Sequence, residues 1–236
     1  MLSFIVPAHN EEEHVGPTVA SIAAAARATG EAFEVIVVAD CCTDRTSEIA
    51  AAHGARVIAV QHRQIAATRN AGARAAGGDV LFFVDADTLS NLTAVTACLR
   101  EIRRGAVGGG CVFELDGILP LWARLLYPAA VVSARFLKLV GGCFLFCRRD
   151  VFEAFGGFDP RFFAAEEVAF INALKARGRF AVPGPTVVTS GRKLRDFSMW
   201  HILGIAWKWA VGGPTAFQRR EGLDIWYGER TYKKTP

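Results

Sequence analysis

Apolar residues in the first part of the chain fall into short runs separated by alanine-rich segments with polar residues at helical intervals. The runs Leu2–Val6, Val35–Ala39, Arg56–Val60 and Val80–Val84 are rich in Val, Ile and Phe and predict strands. Between them, Glu12–Thr29, Asp44–His53 and Gln64–Ala76 predict helices, the second opened by Thr43 or Asp44 as cap and the third closed by Gly77-Gly78. Strands that alternate with single helices imply βαβ crossovers, hence an α/β fold with a mostly parallel sheet flanked by helices. Such sheets bind ligands at the carboxyl ends of their strands. The segments "PAHNEE", "ADCCTD" and "DAD", which follow the first, second and fourth runs, therefore share one rim.

Beyond the fourth strand the rhythm changes. Asn91–Arg104 predicts a helix, Val107–Phe113 a strand, Pro120–Leu139 an apolar, partly helical stretch with basic interruptions, and Cys143–Cys147 a further strand followed by a short helix. No repeat or flexible linker divides the chain, so one domain is expected, with residues 1–110 as its ligand-binding βαβ half, 111–195 as a second half and 196–236 as an amphipathic helical tail.

Composition narrows the class. With 52% hydrophobic and 21% charged residues, the 236-residue chain can bury a large core, and a net charge of +4 without a basic, aromatic-studded stripe argues against nucleic acid. The six cysteines form no CxxC pair and read as the reduced thiols of a cytosolic protein. No stretch of about eighteen apolar residues runs free of charge, because Arg135 and Lys138 interrupt one candidate and His201 and Lys208 another. The start of the chain reads as a first strand rather than a leader. The tryptophan-rich "SMWHILGIAWKWAVGG" suits either a core helix or a helix resting at a lipid interface, so a cytosolic protein attached peripherally to the inner face of a membrane is the expectation.

Several residues carry possible chemistry. Asp85 and Asp87 close a buried run with two carboxylates one residue apart, an arrangement disfavoured by repulsion and desolvation unless solvent or something positive meets them. Mg2+ or Mn2+ carrying phosphates is one such partner. Asp40 could accept hydrogen bonds from a base or ribose, and Arg69, in "ATRNAG", offers a forked donor for a phosphate or base. In "AAEEVAF", Glu166 and Glu167 are either dipole-favoured residues of a first helical turn or a base for an attacking hydroxyl. "SGRKLR" is either a solvated basic loop or a source of cations for a leaving diphosphate.

In order along the chain, "IVPAHNEE", "VIVVADCCTD", "ATRNAGARAAGGDVLFFVDADT", "GGCFLFCRRDVFEAFGGFD", "EEVAF" and "TSGRKLR" resemble the inverting glycosyltransferases of family 2, which have the GT-A fold. The resemblance implies that Pro7, His9, Glu11 and Asp40 line the base and ribose pocket, that Arg69 lies near the base or phosphates and Asp85 near the ribose, and that Asp87 holds Mn2+ or Mg2+. It makes Glu167 the general base with Glu166 in reserve; beside it, Gly141-Gly142 would admit the acceptor or let a loop turn closely, and Arg192 or Arg195 could meet the β-phosphate. The implied reaction moves a sugar from a nucleoside diphosphate, UDP by the family's commonest usage, to a hydroxyl on a lipid-linked, saccharide or small-molecule acceptor. Three positions depart from the family pattern: Ala39-Asp40 replaces paired aspartates, Cys41-Cys42 a glycine-serine turn, and Glu166-Glu167 a Glu-Asp pair. Two rival readings are a nucleotidyltransferase, which wants a basic glycine-rich loop where "PAHNEE" is acidic, and a non-catalytic nucleotide-sugar or lipid-surface binding protein, which would bind donor without turnover.

Overall fold

A computed structural model describes residues 1–219 and 221–223. The first half runs β1 (Leu2–Ala8), α1 (Val15–Ala28), β2 (Phe33–Asp40), α2 (Thr46–Ala52), β3 (Arg56–Val60), α3 (Ile65–Ala75), β4 (Val80–Val84), β5 (Thr88–Leu89) and α4 (Leu92–Arg103). The second half runs β6 (Gly108–Gly110), β7 (Phe113–Leu115), α5 (Leu121–Leu137), β8 (Phe144–Arg148), α6 (Arg149–Phe155), α7 (Glu166–Lys175), β9 (Phe180–Ala181), β10 (Val187–Thr189), α8 (Arg192–Asp196) and α9 (Met199–Gly212). A seven-stranded sheet has the order β3-β2-β1-β4-β8-β6-β9, and a three-stranded sheet the order β5-β10-β7. In the large sheet β3, β2, β1 and β4 are parallel, whereas β8 is antiparallel to both of its neighbours.

The central strands are apolar on both faces, as a sheet covered by helices on two sides requires. Alternation sends Phe4, Val6, Phe82, Val84, Phe144 and Phe146 to the core that holds α1 and α4 residues such as Val19, Ile22 and Val95. Ile5, Leu81, Phe83 and Leu145 enter the opposite core, with Phe152, Phe170 and Ile171 of α6 and α7. Helix α3 lies close on that second face. A Cβ at its Gly72 would stand 2.4 Å from Ile5 Cγ2, so only glycine permits this approach.

The expected strand over Val107–Phe113 is two strands instead. β6 consists of glycines in the large sheet, the chain leaves it at Cys111-Val112, and β7 joins the small sheet. "RKLRD", expected as a loop, forms the short helix α8. Arg45 occupies the cap position of α2 without a side-chain bond, while Asp44 beside it accepts from the Thr46 N–H at 3.0 Å. Of the expected tail, residues 224–236 lie outside the described residues, and among the described residues no helix is long and apolar enough to cross a membrane.

Candidate active site

The carboxyl ends of β1, β2 and β4 open onto a cavity of about 600 Å3, bordered on its other side by α5, α7 and α8. Pro7, His9, Glu11, Asp40, Arg69, Asp85, Asp87, Gly142, Glu166, Glu167 and Arg192 all line it; Arg195 does not. Arg195 instead lies over Asp116, donating to its carbonyl at 2.7 Å and its carboxylate at 3.2 Å.

The rim loops after β1 and β2 are tied together before any ligand arrives. Thr43 N–H donates to the Asn10 side chain at 2.8 Å, Glu12 N–H to Asp44 at 3.0 Å, and Glu11 N–H to Thr46 at 2.7 Å. Asn10, Cys41 and Arg63 all adopt positive φ, at 50°, 52° and 47°. Non-glycine residues held there are strained, and such strain gathers at functional sites.

Asp40 is buried, and both of its oxygens are spent on the loop that follows β3. His62 and Arg63 N–H donate to one at 2.7 and 2.8 Å; Gln64 N–H and Thr68 Oγ1 donate to the other at 3.1 and 2.8 Å. Burial pushes its carboxyl up, but these bonds, led by that from Arg63, outweigh it and hold the group below the usual carboxylate range. His9 Nδ1 donates to the Asp40 carbonyl at 2.7 Å, and Arg63 Nη1 donates to His9 Nε2. The Asp40 carboxylate thus shapes the β2–β3 side of the cavity by holding its walls.

Arg69 is 1% exposed, and its fork is occupied. Nη1 donates to Glu166 at 2.8 Å, Nη2 to Asp85 and to the Gly142 carbonyl, both at 2.9 Å, and the guanidinium lies 5.1 Å from the Phe158 ring centroid. The residue proposed from sequence as a phosphate or base contact is therefore the post that joins β4, β8 and α7. Asp87, the second carboxylate of the pair, meets a different cation: Arg192 Nη2 lies 2.8 Å from it and 2.6 Å from Glu11. Each aspartate has its own guanidinium, which is how this buried strand end tolerates two negative charges.

Glu166 and Glu167 open α7 behind Ala165, whose φ is 59°. Burial and the neighbouring Glu167 push Glu166 up to about 8 against the pull of Arg69. Glu167 is half-buried and is likewise raised, chiefly by burial. Among the described residues its carboxylate has no side-chain hydrogen bond or ion pair, only its own backbone N–H, while Glu166 is held by Arg69. The two carboxylates stand close enough that each proton on one alters the charge felt by the other, so the glutamates titrate as a pair. Gly142 stands directly below: a Cβ there would lie 3.2 Å from both Arg69 Nη2 and Glu167 Cβ.

The donor set can be tested against a divalent cation. Among the described residues no group of three His, Cys, Asp or Glu side chains converges as a complete protein cage. Of the carboxylates on the cavity, Asp87 stands at the end of the β4 segment with Arg192 resting on it, a positive group in the place a cation would take. This set fits Mg2+ or Mn2+ arriving with a diphosphate, since such ions take one or two carboxylates and fill their remaining positions with phosphate oxygens and water.

Gln64, Tyr127 and Lys193 also line the cavity and were not singled out from the sequence. Gln64 caps α3 and donates to the Pro160 and Phe162 carbonyls at 3.1 and 2.7 Å, tying the first half of the chain to the segment before α7. Lys193 lay in the quoted basic motif, but Tyr127 sits in an apolar run with no local signal.

No curated protein matches the sequence. Among solved structures, a fragment of S. aureus TarS in complex with UDP is similar at 20% identity and a TM-score of 0.64, covering 80% of this chain and 60% of that one. The mannosyltransferase PcManGT from Pyrobaculum calidifontis, in complex with GDP-Man and Mn2+, is similar at 18% identity and a TM-score of 0.65, covering 92% and 62%. Glucosyl-3-phosphoglycerate synthase from Mycobacterium tuberculosis, in complex with Mn2+, UDP and phosphoglyceric acid, is similar at 18% identity and a TM-score of 0.62, covering 98% and 80%. The chain thus spans only about 60% of the TarS fragment, and the likeness is one of fold: a mostly parallel sheet flanked by helices, as in GT-A glycosyltransferases. Residues 3–155 match the model of glycosyl transferase family 2, and the chain belongs to that family.

Proposed function

We propose that the protein is an inverting glycosyltransferase that moves a sugar from a nucleoside diphosphate, UDP in our reading, to an acceptor hydroxyl. The similar structures were solved with UDP or GDP-Man, which supports a nucleoside diphosphate and leaves uridine resting on the sequence reading. Asp87 would hold Mn2+ or Mg2+, which when bound neutralises the diphosphate. The chain's own work is then to position and to move one proton. Asp40 and its bonded loops shape the base pocket, Arg69 fixes Asp85 and Glu166, and Arg192, once drawn from Glu11 and Asp87, has the charge to meet the leaving β-phosphate.

The observation that carries the reading is the contrast between the two glutamates. Glu166 is tied to Arg69, whereas Glu167 borders the cavity without a side-chain partner among the described residues and with its pKa raised by burial, the direction suited to general-base work. Glu167→Gln should leave UDP binding intact and reduce single-turnover transfer by roughly a hundredfold or more. Because the raised pKa means the basic form dominates only above that value, transfer should also fall as pH drops through a window above the ordinary carboxylate range. Parental transfer by Glu167→Gln together with an inactive Glu166→Gln would move the role to Glu166; parental rates in both would overturn the base assignment.

A further inference from the structure

Helix α5 is apolar on two opposite faces. Tyr127, Ala130, Val131 and Ala134 border the cavity, in which Val112, Phe113 and Val140 continue the apolar wall. At about 100° per residue, Leu121, Leu125, Val132 and Phe136 project the other way. They are 70%, 71%, 67% and 86% exposed. A helix face turned to water ordinarily carries charge of both signs. Here the chain has no acidic residue between Asp116 and Asp150, and the charges on and just after α5 are Arg124, Arg135 and Lys138. Helix α9 repeats the chemistry, with Trp200 and Trp207 exposed by 75% and 72% and Lys208 as its one Lys, Arg, Asp or Glu. Apolar helix faces whose own charges are all cationic, with tryptophans, complement an anionic lipid surface.

We propose that α5 seats the protein on an anionic bilayer and that the acceptor is a lipid-borne alcohol whose apolar part lies against the helix's inner face. The docking stands on the exposed faces alone; the acceptor class rests on the transfer reading above. One helix then serves as both contact with the bilayer and wall of the acceptor subsite, so the acceptor need not cross water. Tyr127 is on that inner wall, and its Oη is buried with no hydrogen-bond partner among the described residues. Transfer forms the bond between the alcohol oxygen and the anomeric carbon and breaks that between this carbon and the diphosphate oxygen. The diphosphate keeps the electron pair, and Glu167 takes the hydroxyl proton.

Flotation with phosphatidylcholine vesicles, with and without phosphatidylglycerol, tests the docking. Binding should strengthen by about fivefold for each basic residue engaged by the anionic lipid, and should weaken with salt. The double variant Leu125→Ser, Phe136→Ser alters only exposed positions, so its melting should match the parent while its vesicle partitioning drops by about tenfold or more. A calorimetric series of alkyl glycosides tests the subsite. Affinity should rise about fourfold per added methylene until the wall is covered, and Ala134→Phe, which fills that wall, should remove the increment without changing UDP binding.

Failure of the parent to float with anionic vesicles, or equal flotation of the double variant, would overturn the docking. A concentration-dependent dimer dissolved by the same double variant would assign the face to a second copy instead and overturn it too. Affinity independent of alkyl length would overturn the lipid-borne acceptor. Vesicle and alkyl-chain binding without any UDP binding would leave this inference standing and refute the transfer reading; transfer to a free sugar by a protein that ignores vesicles would do the reverse.

Discussion

Arg69→Met removes a fully buried charge while keeping a long side chain over Phe158, so the loss it reports is electrostatic more than steric. The guanidinium holds Asp85 at 2.9 Å, Glu166 at 2.8 Å and the Gly142 carbonyl at 2.9 Å. Removing one partner of a buried ion pair leaves the other charge uncompensated and costs about 3–5 kcal/mol. For a chain of this size that corresponds to a melting drop on the order of 10 °C. The pH dependence separates this cause from simple loss of packing. Glu166 has a raised folded pKa, so its contribution to stability is fully present below its unfolded value near 4.5 and is lost as pH rises through about 8. Without Arg69 that loss deepens. Both proteins lose the same Glu166 contribution up to about pH 8 and diverge only above it, where the parent's Glu166 ionises. Urea denaturation at about pH 6 and about pH 10 should therefore show the larger difference at the higher pH. A difference that stays constant between the two, or grows toward acid, would refute the claim that Arg69 acts by neutralising buried carboxylates.

Three further outcomes follow from the same geometry. Asp87→Asn should weaken Mn2+-dependent UDP binding by more than about tenfold and leave metal-free binding near parental, read by titration calorimetry with and without Mn2+; equal affinities would remove the metal role. Gly142→Ala pushes a methyl toward Glu167 Cβ and Arg69, both 3.2 Å away, and should cost about 1–3 kcal/mol of stability and lower kcat more than it raises KM for the donor. Cys41→Gly relieves a φ of 52° and should raise the urea midpoint by an amount equivalent to about 0.5 kcal/mol, the net of strain removed and backbone entropy added; an unchanged midpoint would show that the turn stores no strain.

The parts of the fold that the chain spells out are those where burial imposes a period. β3 and β4 were legible to the residue, and α1 to α4 within a few positions, because each presents several apolar side chains to a core. β5, β9 and β10 have two or three residues each, too few for alternation to register, and β6 is all glycine and carries no side-chain pattern. The site shows the same division. That its loops share a rim follows from strand direction, a local property once the βαβ rhythm is seen. The partners are another matter: Arg69 joins residues 16, 73 and 97 positions away, and Asp40 spends its oxygens on a loop more than twenty positions on. Such pairings belong to the folded chain, which is why Arg69 and Asp40 read from sequence as ligand contacts and stand in the structure as braces.

The strand order also constrains how the chain is made. β3, β2, β1 and β4 come from neighbouring stretches linked by single helices, so that part of the sheet can assemble as soon as it leaves the ribosome. The open side of β4 cannot close then, because its partner β8 lies beyond β5, α4, β6, β7 and α5. For the whole interval of synthesis, Val80–Val84 presents a bare edge of Val, Leu and Phe, the kind of strand on which nascent chains aggregate. Phe144–Arg148 ends that exposure by running antiparallel along it, which makes β8 a closing strand for biogenesis as much as a member of the sheet.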